Sequence, residues 1–331
     1  MKGYAVALHG GAGAFSAERI PNDRMREMRC DLEIALSTAA GMLENGGSAL
    51  DAVVAAVCVL EDSRVFNAAR GAVLRRDGSI ALDASVMCGR TRRAGAVTLL
   101  RGVQNPVRLA RAVLERGEEV LLSGADAEQL ARESGLALQP DSYFSTDYRV
   151  EQLERLRGRA PSDTDAAEDA DEDTIPDAPQ LLEDGLPGGG PHEEGQTVGA
   201  VALDRSGHLA AATSTGGKTN ARAGRIGDSP IIGAGTWAHD ASCAVSATGD
   251  GEYFIRSAFA HGVHARVALA GAPLGEAARQ ALADVEELGG GGGCVAIDRR
   301  GNIVLPFTTL AMPRASQTLS GERRVWVLEK S

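Results

Sequence analysis

The chain has 331 residues, 44% of them hydrophobic, enough for one large domain or two ordinary ones with a substantial core, which excludes a chain disordered throughout. Its formal charge of −11 argues against nucleic acid and anionic membrane partners, but twelve carboxylates and no Lys or Arg fall between residues 161 and 196, and the rest of the chain is close to neutral. Five scattered cysteines without a C-x-x-C pair suggest neither a disulfide framework nor a thiolate metal site, and no segment approaches the ~20 apolar residues of a membrane span, so the expectation is a soluble, cytoplasmic protein.

In chain order, residues 4–8 read as a buried strand leading into the loop His9-Gly10-Gly11-Ala12-Gly13. Residues 22–44 keep apolar residues at near-helical spacing (Met25, Met28, Leu32, Leu36, Ala39, Leu43) until Gly46-Gly47 ends the pattern. A second helix starts at the Ser48-x-x-Asp51 capping box and runs to Leu60. A hairpin is predicted over 72–83, turning at Arg75-Arg76-Asp77-Gly78. Residues 161–196 are too acidic and too rich in Pro and Gly to bury a core and read as a disordered linker, most simply a solvated spacer. Beyond it, two more hairpins turn at Asp204-Arg205-Ser206-Gly207 and Asp298-Arg299-Arg300-Gly301, with helical patterns over 253–269 and 274–288 between them. The five glycines 289–293 read as a helix stop and a tight turn. The sum is an α/β architecture with hairpin sheets between helix layers.

The glycine loop at residues 10–13 has neither the Lys-Ser/Thr of a P-loop nor G-x-G-x-x-G spacing, so it is a weak nucleotide site, although an amino-acid kinase stays open on it. None of the six histidines has metal-ligand spacing, and all read as structural or surface residues. The stretch 195–252 is different, because hydroxyl residues, glycines and one Arg/Asp pair crowd into it. Thr197 sits where linker becomes strand. If the chain is cut before it, a hydroxyl and a free α-amine with an ordinary pKa of ~7.7–8.0 share one residue, and the amine can serve as base for its own hydroxyl.

These residues resemble the plant-type asparaginase and isoaspartyl peptidase family of N-terminal nucleophile (Ntn) hydrolases. The resemblance also takes in Ser48-Ala49-Leu50-Asp51-Ala52, Phe66-Asn67-Ala68, Leu82-Asp83-Ala84-Ser85-Val86-Met87 and Gly95-Ala96-Val97. It implies a four-layer αββα sandwich, a single domain made as a precursor, self-cleavage between Gln196 and Thr197, and a homodimer maturing to an (αβ)2 heterotetramer. The parts would be an α-chain core at 1–160, the linker and a β chain at 197–331. The implied activity is hydrolysis of L-asparagine and β-aspartyl dipeptides through a β-aspartyl ester, with no cofactor for the chemistry.

Residue by residue, the resemblance makes Thr197 the nucleophile and Thr215 the group that orients it. The Thr248 side chain and the Gly249 N–H would stabilise the oxyanion, Arg225 would clamp the substrate α-carboxylate, and Asp228 with the Gly251 carbonyl would hold the α-ammonium. Backbone carbonyls of Leu60, Glu61, Ser63, Phe66, Ala68 and Arg70 match a loop that binds Na+ in the family. Taken singly, each feature has a plainer reading: strand threonines, a surface ion pair, a turn. Their joint occurrence in the family's order and spacing favours the site.

Several positions depart from the family pattern. Gln196 stands where Gly or Asp is common, Ala69 where Gly is usual, Lys218 where methionine is common, and Thr308-Thr309-Leu310-Ala311-Met312 differs near the expected pocket. These leave substrate preference open, with a glycosylasparaginase-like amidase and a non-maturing binding protein as alternatives.

Overall fold

The computed structural model describes residues 3–13, 20–158 and 197–329. The acidic segment predicted as a linker and Gln196 lie outside the described residues. Two sheets stack between helices. The larger has eight strands in the order β12-β11-β1-β5-β6-β2-β3-β4 and the smaller four in the order β10-β9-β8-β7. They are β1 (Ala5–His9), β2 (Leu82–Cys88), β3 (Ala94–Leu100), β4 (Leu121–Ser123), β5 (Val198–Leu203), β6 (Leu209–Thr215), β7 (Thr236–Ala238), β8 (Cys243–Gly249), β9 (Gly292–Asp298), β10 (Ile303–Val304), β11 (Arg314–Gln317) and β12 (Arg323–Trp326).

The two-residue period of a strand sorts side chains between layers. On β1, Val6 and Leu8 face a core shared with helices α1 (Asn22–Glu44), α2 (Ala49–Asp62) and α3 (Pro106–Arg116), while Ala5 and Ala7 face the second sheet. On β8, Cys243, Val245 and Ala247 face the second helix layer, and Ala244 faces the first sheet. The expected αββα layering is therefore present. Alanines such as Ala5, Ala7, Ala211 and Ala244 line the space between the sheets, which suits the low aromatic content.

Local expectations mostly hold. The helix over 22–44 forms with those bounds, burying Met28, Leu32, Leu36, Ala39 and Leu43. Ser48 caps α2, its hydroxyl accepting from the Asp51 N–H at 3.1 Å. The turn at Asp204 joins β5 to β6 and that at Asp298 joins β9 to β10, each aspartate accepting backbone N–H groups within its own turn.

Two elements differ from expectation. The turn at Asp77-Gly78 forms, but the preceding arm pairs elsewhere: the Arg76 N–H donates to Ala221 and the Leu74 carbonyl accepts from Asn220. The helix predicted over 253–269 is two, α7 (Gly251–Arg256) and α8 (Phe259–Ala268), broken where Ala258 adopts φ +46°. Phe254 and Phe259 then meet, with ring centroids 4.7 Å apart, in one core with α9 (Leu274–Glu287). The structure adds a helical stretch that the sequence pattern did not resolve, α3 followed by α4 (Gly124–Glu133), α5 (Asp141–Phe144) and α6 (Asp147–Arg157).

Candidate active site

Thr197 lies at the start of β5, opposite Thr215 at the end of β6, in register with the pairing of Val198 and Ser214. Its Oγ1 donates to Thr215 Oγ1 at 3.3 Å, and both residues are buried. The Thr215 hydroxyl also accepts the Gly217 N–H at 3.1 Å, which fixes it as seen from Thr197. Thr197, Thr215, Arg225, Asp228 and Gly249 line one cavity at this end of the sheets.

Thr248 and Gly249 close β8, whose register with β9 continues to Gly249 opposite Gly292. Thr248 Oγ1 accepts the Ala12 N–H at 3.1 Å, which leaves its own proton available to donate, although Thr248 is fully buried and Gly249, not Thr248, lines the cavity. Glycine is required at 249, because a Cβ there would sit 2.4 Å from the Gly291 carbonyl oxygen. The five-glycine run is thus more than a helix stop. Gly291 lines the cavity, and Gly290 and Gly292 leave room for Tyr253, Phe254 and the Thr248 carbonyl.

Arg225 and Asp228 reach the same cavity from the loop after β6. Glu252, a residue without an expected role, takes the Arg225 Nε and Nη2 at 2.8 and 2.9 Å. Burial works against the Arg225 charge, but Glu252 more than compensates and raises its pKa. One oxygen of Asp228 is buried with no hydrogen-bond partner among the described residues. Burial pushes the Asp228 carboxyl up to about 7, with the Arg225 charge pulling the other way. A buried carboxylate oxygen without a donor fits an incoming ammonium. Gly251 packs against Asp228, where a Cβ would come 2.9 Å from Oδ1.

His9 was read as an ordinary structural residue, yet it lies under the nucleophile. Its Nδ1 is 3.0 Å from the Thr197 carbonyl oxygen and its Nε2 is 2.9 Å from Ser246 Oγ. Burial pushes the imidazole down to about 3, although the Thr197 carbonyl favours the protonated form. The ring is therefore neutral. Since a carbonyl only accepts, the proton sits on Nδ1 and Nε2 accepts from Ser246. Ser246 in turn bonds Thr213, Thr213 accepts from Thr236, and Ser85 donates to Thr236, forming a file of hydroxyls between the sheets. His9 and Ser85 lie in stretches already noted in the sequence, but no motif spacing marks Thr213, Thr236 and Ser246; the available signal was polar side chains on the inward register of apolar strands.

Three of the four N–H groups of the glycine loop at 10–13 are engaged within the protein: Gly10 donates to Pro313, Ala12 to Thr248 and Gly13 to Ala311. That counts against a phosphate cradle and the kinase alternative. His239, His261 and His264 cluster beside Trp237 on the far helix layer, but no group of His, Cys, Asp and Glu among the described residues has metal-binding geometry.

Of the carbonyl residues matched to a Na+ loop, Leu60 and Glu61 lie in the last turn of α2, where carbonyls lack helical donors. Ser63 ends that helix, Phe66 and Ala68 follow in a loop, and Arg70 lies in a 3-10 turn at Ala69–Gly71. The set is neutral and oxygen-only, which suits a hard monovalent cation, although the Ala68 carbonyl already accepts the Gly71 N–H.

Residues 2–327 match the family described as Asparaginase. The chain is 42% identical over 314 residues to the isoaspartyl peptidase of Escherichia coli (strain K12), covering 94% of this chain and 91% of that one. It is 42% identical over 319 residues to the isoaspartyl peptidase of Salmonella typhimurium, covering 95% of each. To the isoaspartyl peptidase/L-asparaginase of Danio rerio it is 37% identical over 312 residues, covering 94% and 91%.

Proposed function

The chain belongs to the asparaginase family, a family of hydrolases, and from that premise we propose that it cuts itself before Thr197 and then hydrolyses L-asparagine and β-aspartyl dipeptides. The observation that carries the reading is the Thr197–Thr215 hydroxyl pair in a cavity shared with Arg225 and a buried, half-unpartnered Asp228.

In the cut chain, Thr197 Oγ1 adds to the substrate's side-chain carbonyl carbon while its proton passes to the new α-amine. The Thr248 hydroxyl, whose proton is not used by the Ala12 N–H contact, and the Gly249 N–H receive the negative oxygen, each such donor being worth ~3–4 kcal/mol in the transition state. The amine then protonates the leaving nitrogen and the C–N bond breaks. Ammonia departs from asparagine, or an amino acid from a dipeptide, leaving a β-aspartyl ester on Thr197. Water gives a proton to the same amine and adds to the ester carbon. The C–O bond to Thr197 breaks, the threonine oxygen regains a proton, and L-aspartate leaves.

Arg225 and Asp228 select the free amino-acid end. Glu252 occupies one edge of the guanidinium and leaves the Nη1 edge for the substrate carboxylate. No cofactor enters the chemistry; a Na+ ion on the 60–70 carbonyls would only stiffen that loop. The working form is an (αβ)2 assembly. Denaturing electrophoresis with N-terminal sequencing tests the reading. Purified protein should give a fragment beginning at Thr197, and Thr197→Ala should stay whole and inactive. Cleavage in that variant, or an intact wild type without asparaginase activity, would refute it.

A further inference from the structure

The substrate of the proposed reaction has two ends, and only one has so far been given a partner. Arg225 and Asp228 take the aspartyl end, while the group on the scissile nitrogen is hydrogen in L-asparagine and a whole amino acid in a β-aspartyl dipeptide. That second amino acid carries its own α-carboxylate. The first carboxylate occupies Arg225, so the second needs another cation.

Besides Arg225, the cation among the cavity-lining residues is Lys218. It lines the same cavity as Thr197 and Thr215, three residues beyond Thr215 along the chain. Among the described residues its ammonium has no ion-pair or hydrogen-bond partner. Glu252 is near enough for Lys218 to help lower its pKa, although burial opposes that shift and Arg225 is its main cause. Both Glu252 oxygens are held by Arg225, so Glu252 does not take the lysine.

The backbone beneath Lys218 is fixed. The Asn67 amide donates to the Gly217 carbonyl at 2.7 Å, the Lys218 carbonyl accepts the Ala221 N–H, and Asn220 donates to Leu74. Next to it, Thr219 is buried, lines the cavity, and has a hydroxyl with no hydrogen-bond partner among the described residues. Buried hydroxyls are ordinarily satisfied, and one that faces a cavity unsatisfied calls for a ligand acceptor.

We propose that Lys218 and the Thr219 hydroxyl form a subsite for the α-carboxylate of the leaving amino acid, so that the site favours β-aspartyl peptides ending in a free carboxylate. The inference rests on the β-aspartyl reading of the site. It assigns a specificity role to a position that sequence comparison marks only as a departure.

The test compares kcat/KM of the processed enzyme for β-aspartyl-leucine and for the same dipeptide with its C-terminus amidated, with L-asparagine as a separate substrate. Wild type should prefer the free acid by roughly fivefold or more, as an exposed ion pair backed by one hydrogen bond allows. Lys218→Met should bring the acid-to-amide ratio close to one, mainly through KM, and Lys218→Arg should keep it. Thr219→Val should lower the ratio partway. A purely structural role would depress both substrates together and leave the ratio where it was. A wild-type ratio near one, or a ratio unmoved by Lys218→Met, overturns the subsite while leaving the β-aspartyl reading standing. Processed enzyme that cuts L-asparagine and neither dipeptide overturns both.

Discussion

Two charged side chains set how this site responds to pH and substrate. Asp228 has its pKa raised to about 7 by burial, so at pH 6 it is mostly neutral and a poor partner for an ammonium. L-Aspartate should therefore bind more weakly at pH 6 than at pH 8, relative to succinate, which has the carboxylates without the ammonium. Calorimetric titration of both ligands gives the ratio, and Asp228→Asn should flatten it. Arg225→Ala should raise KM roughly 10- to 100-fold with a smaller change in kcat, because a hydrogen bond to a charged group is worth ~1.5–3 kcal/mol. Unaltered KM in a processed Arg225→Ala enzyme would contradict the clamp. The family resemblance singled out both residues by their spacing from Thr197. Their ordinary alternative, a surface ion pair with each other, is not what forms: Arg225 pairs with Glu252, and Asp228 is buried.

At the scale of strands and helices, the polar file between the sheets and the Glu61 carboxyl matter most. Thr213 and Thr215 point toward the second sheet or the cavity, while Ser214 between them points back toward the helices, beside Glu61. Thr213→Val would leave the Ser246 and Thr236 hydroxyls short of a partner in the buried layer. Denaturant unfolding should register a loss of about 1–3 kcal/mol.

Glu61 lies in the last turn of α2 and accepts the Val107 N–H of α3 at 3.0 Å, but its other oxygen is buried without a partner among the described residues. Burial raises its pKa to about 8, against the pull of the nearby Ser214 hydroxyl, which stops short of hydrogen-bond geometry. Because the folded pKa lies above the ordinary value of 4.5, the neutral acid is the favoured folded form. Its stabilisation is fully present below about pH 4.5 and is lost as pH rises through about 8. Tm should therefore fall more steeply between about pH 5 and 8 in wild type than in Glu61→Gln, which cannot ionise, and the difference should level off above about pH 8. Neither feature was legible in sequence. A serine, a threonine or a glutamate at an inward register looks the same whether it meets a partner or water until the second sheet and the helix are in place.

For the whole molecule, strand order determines what cutting before Thr197 would do. β1 lies between β5 and β11, and β6 pairs with β2, so strands from both sides of the proposed cut alternate within one sheet. The two fragments should co-elute as one species in native chromatography and separate only in denaturant. Separation under native conditions would mean that these pairings do not hold the cut chain.

What the sequence determined by itself was local and periodic: the helices over 22–44 and 274–288 and the turns at Asp204 and Asp298, while the ordered constellation from Thr197 to Thr248 was an expectation carried by the family resemblance. Each depends on neighbours in the chain or on a fixed spacing. Tertiary structure alone decided what arrives from elsewhere in the chain. It brought Ala12 to Thr248, His9 to the Thr197 carbonyl and Glu252 to Arg225, and it left Lys218 and Thr219 at the cavity without side-chain partners among the described residues. Hydrogen-bond donors and charges act over a few ångströms, and only the stacking of the two sheets brings residues so far apart in the chain within that reach.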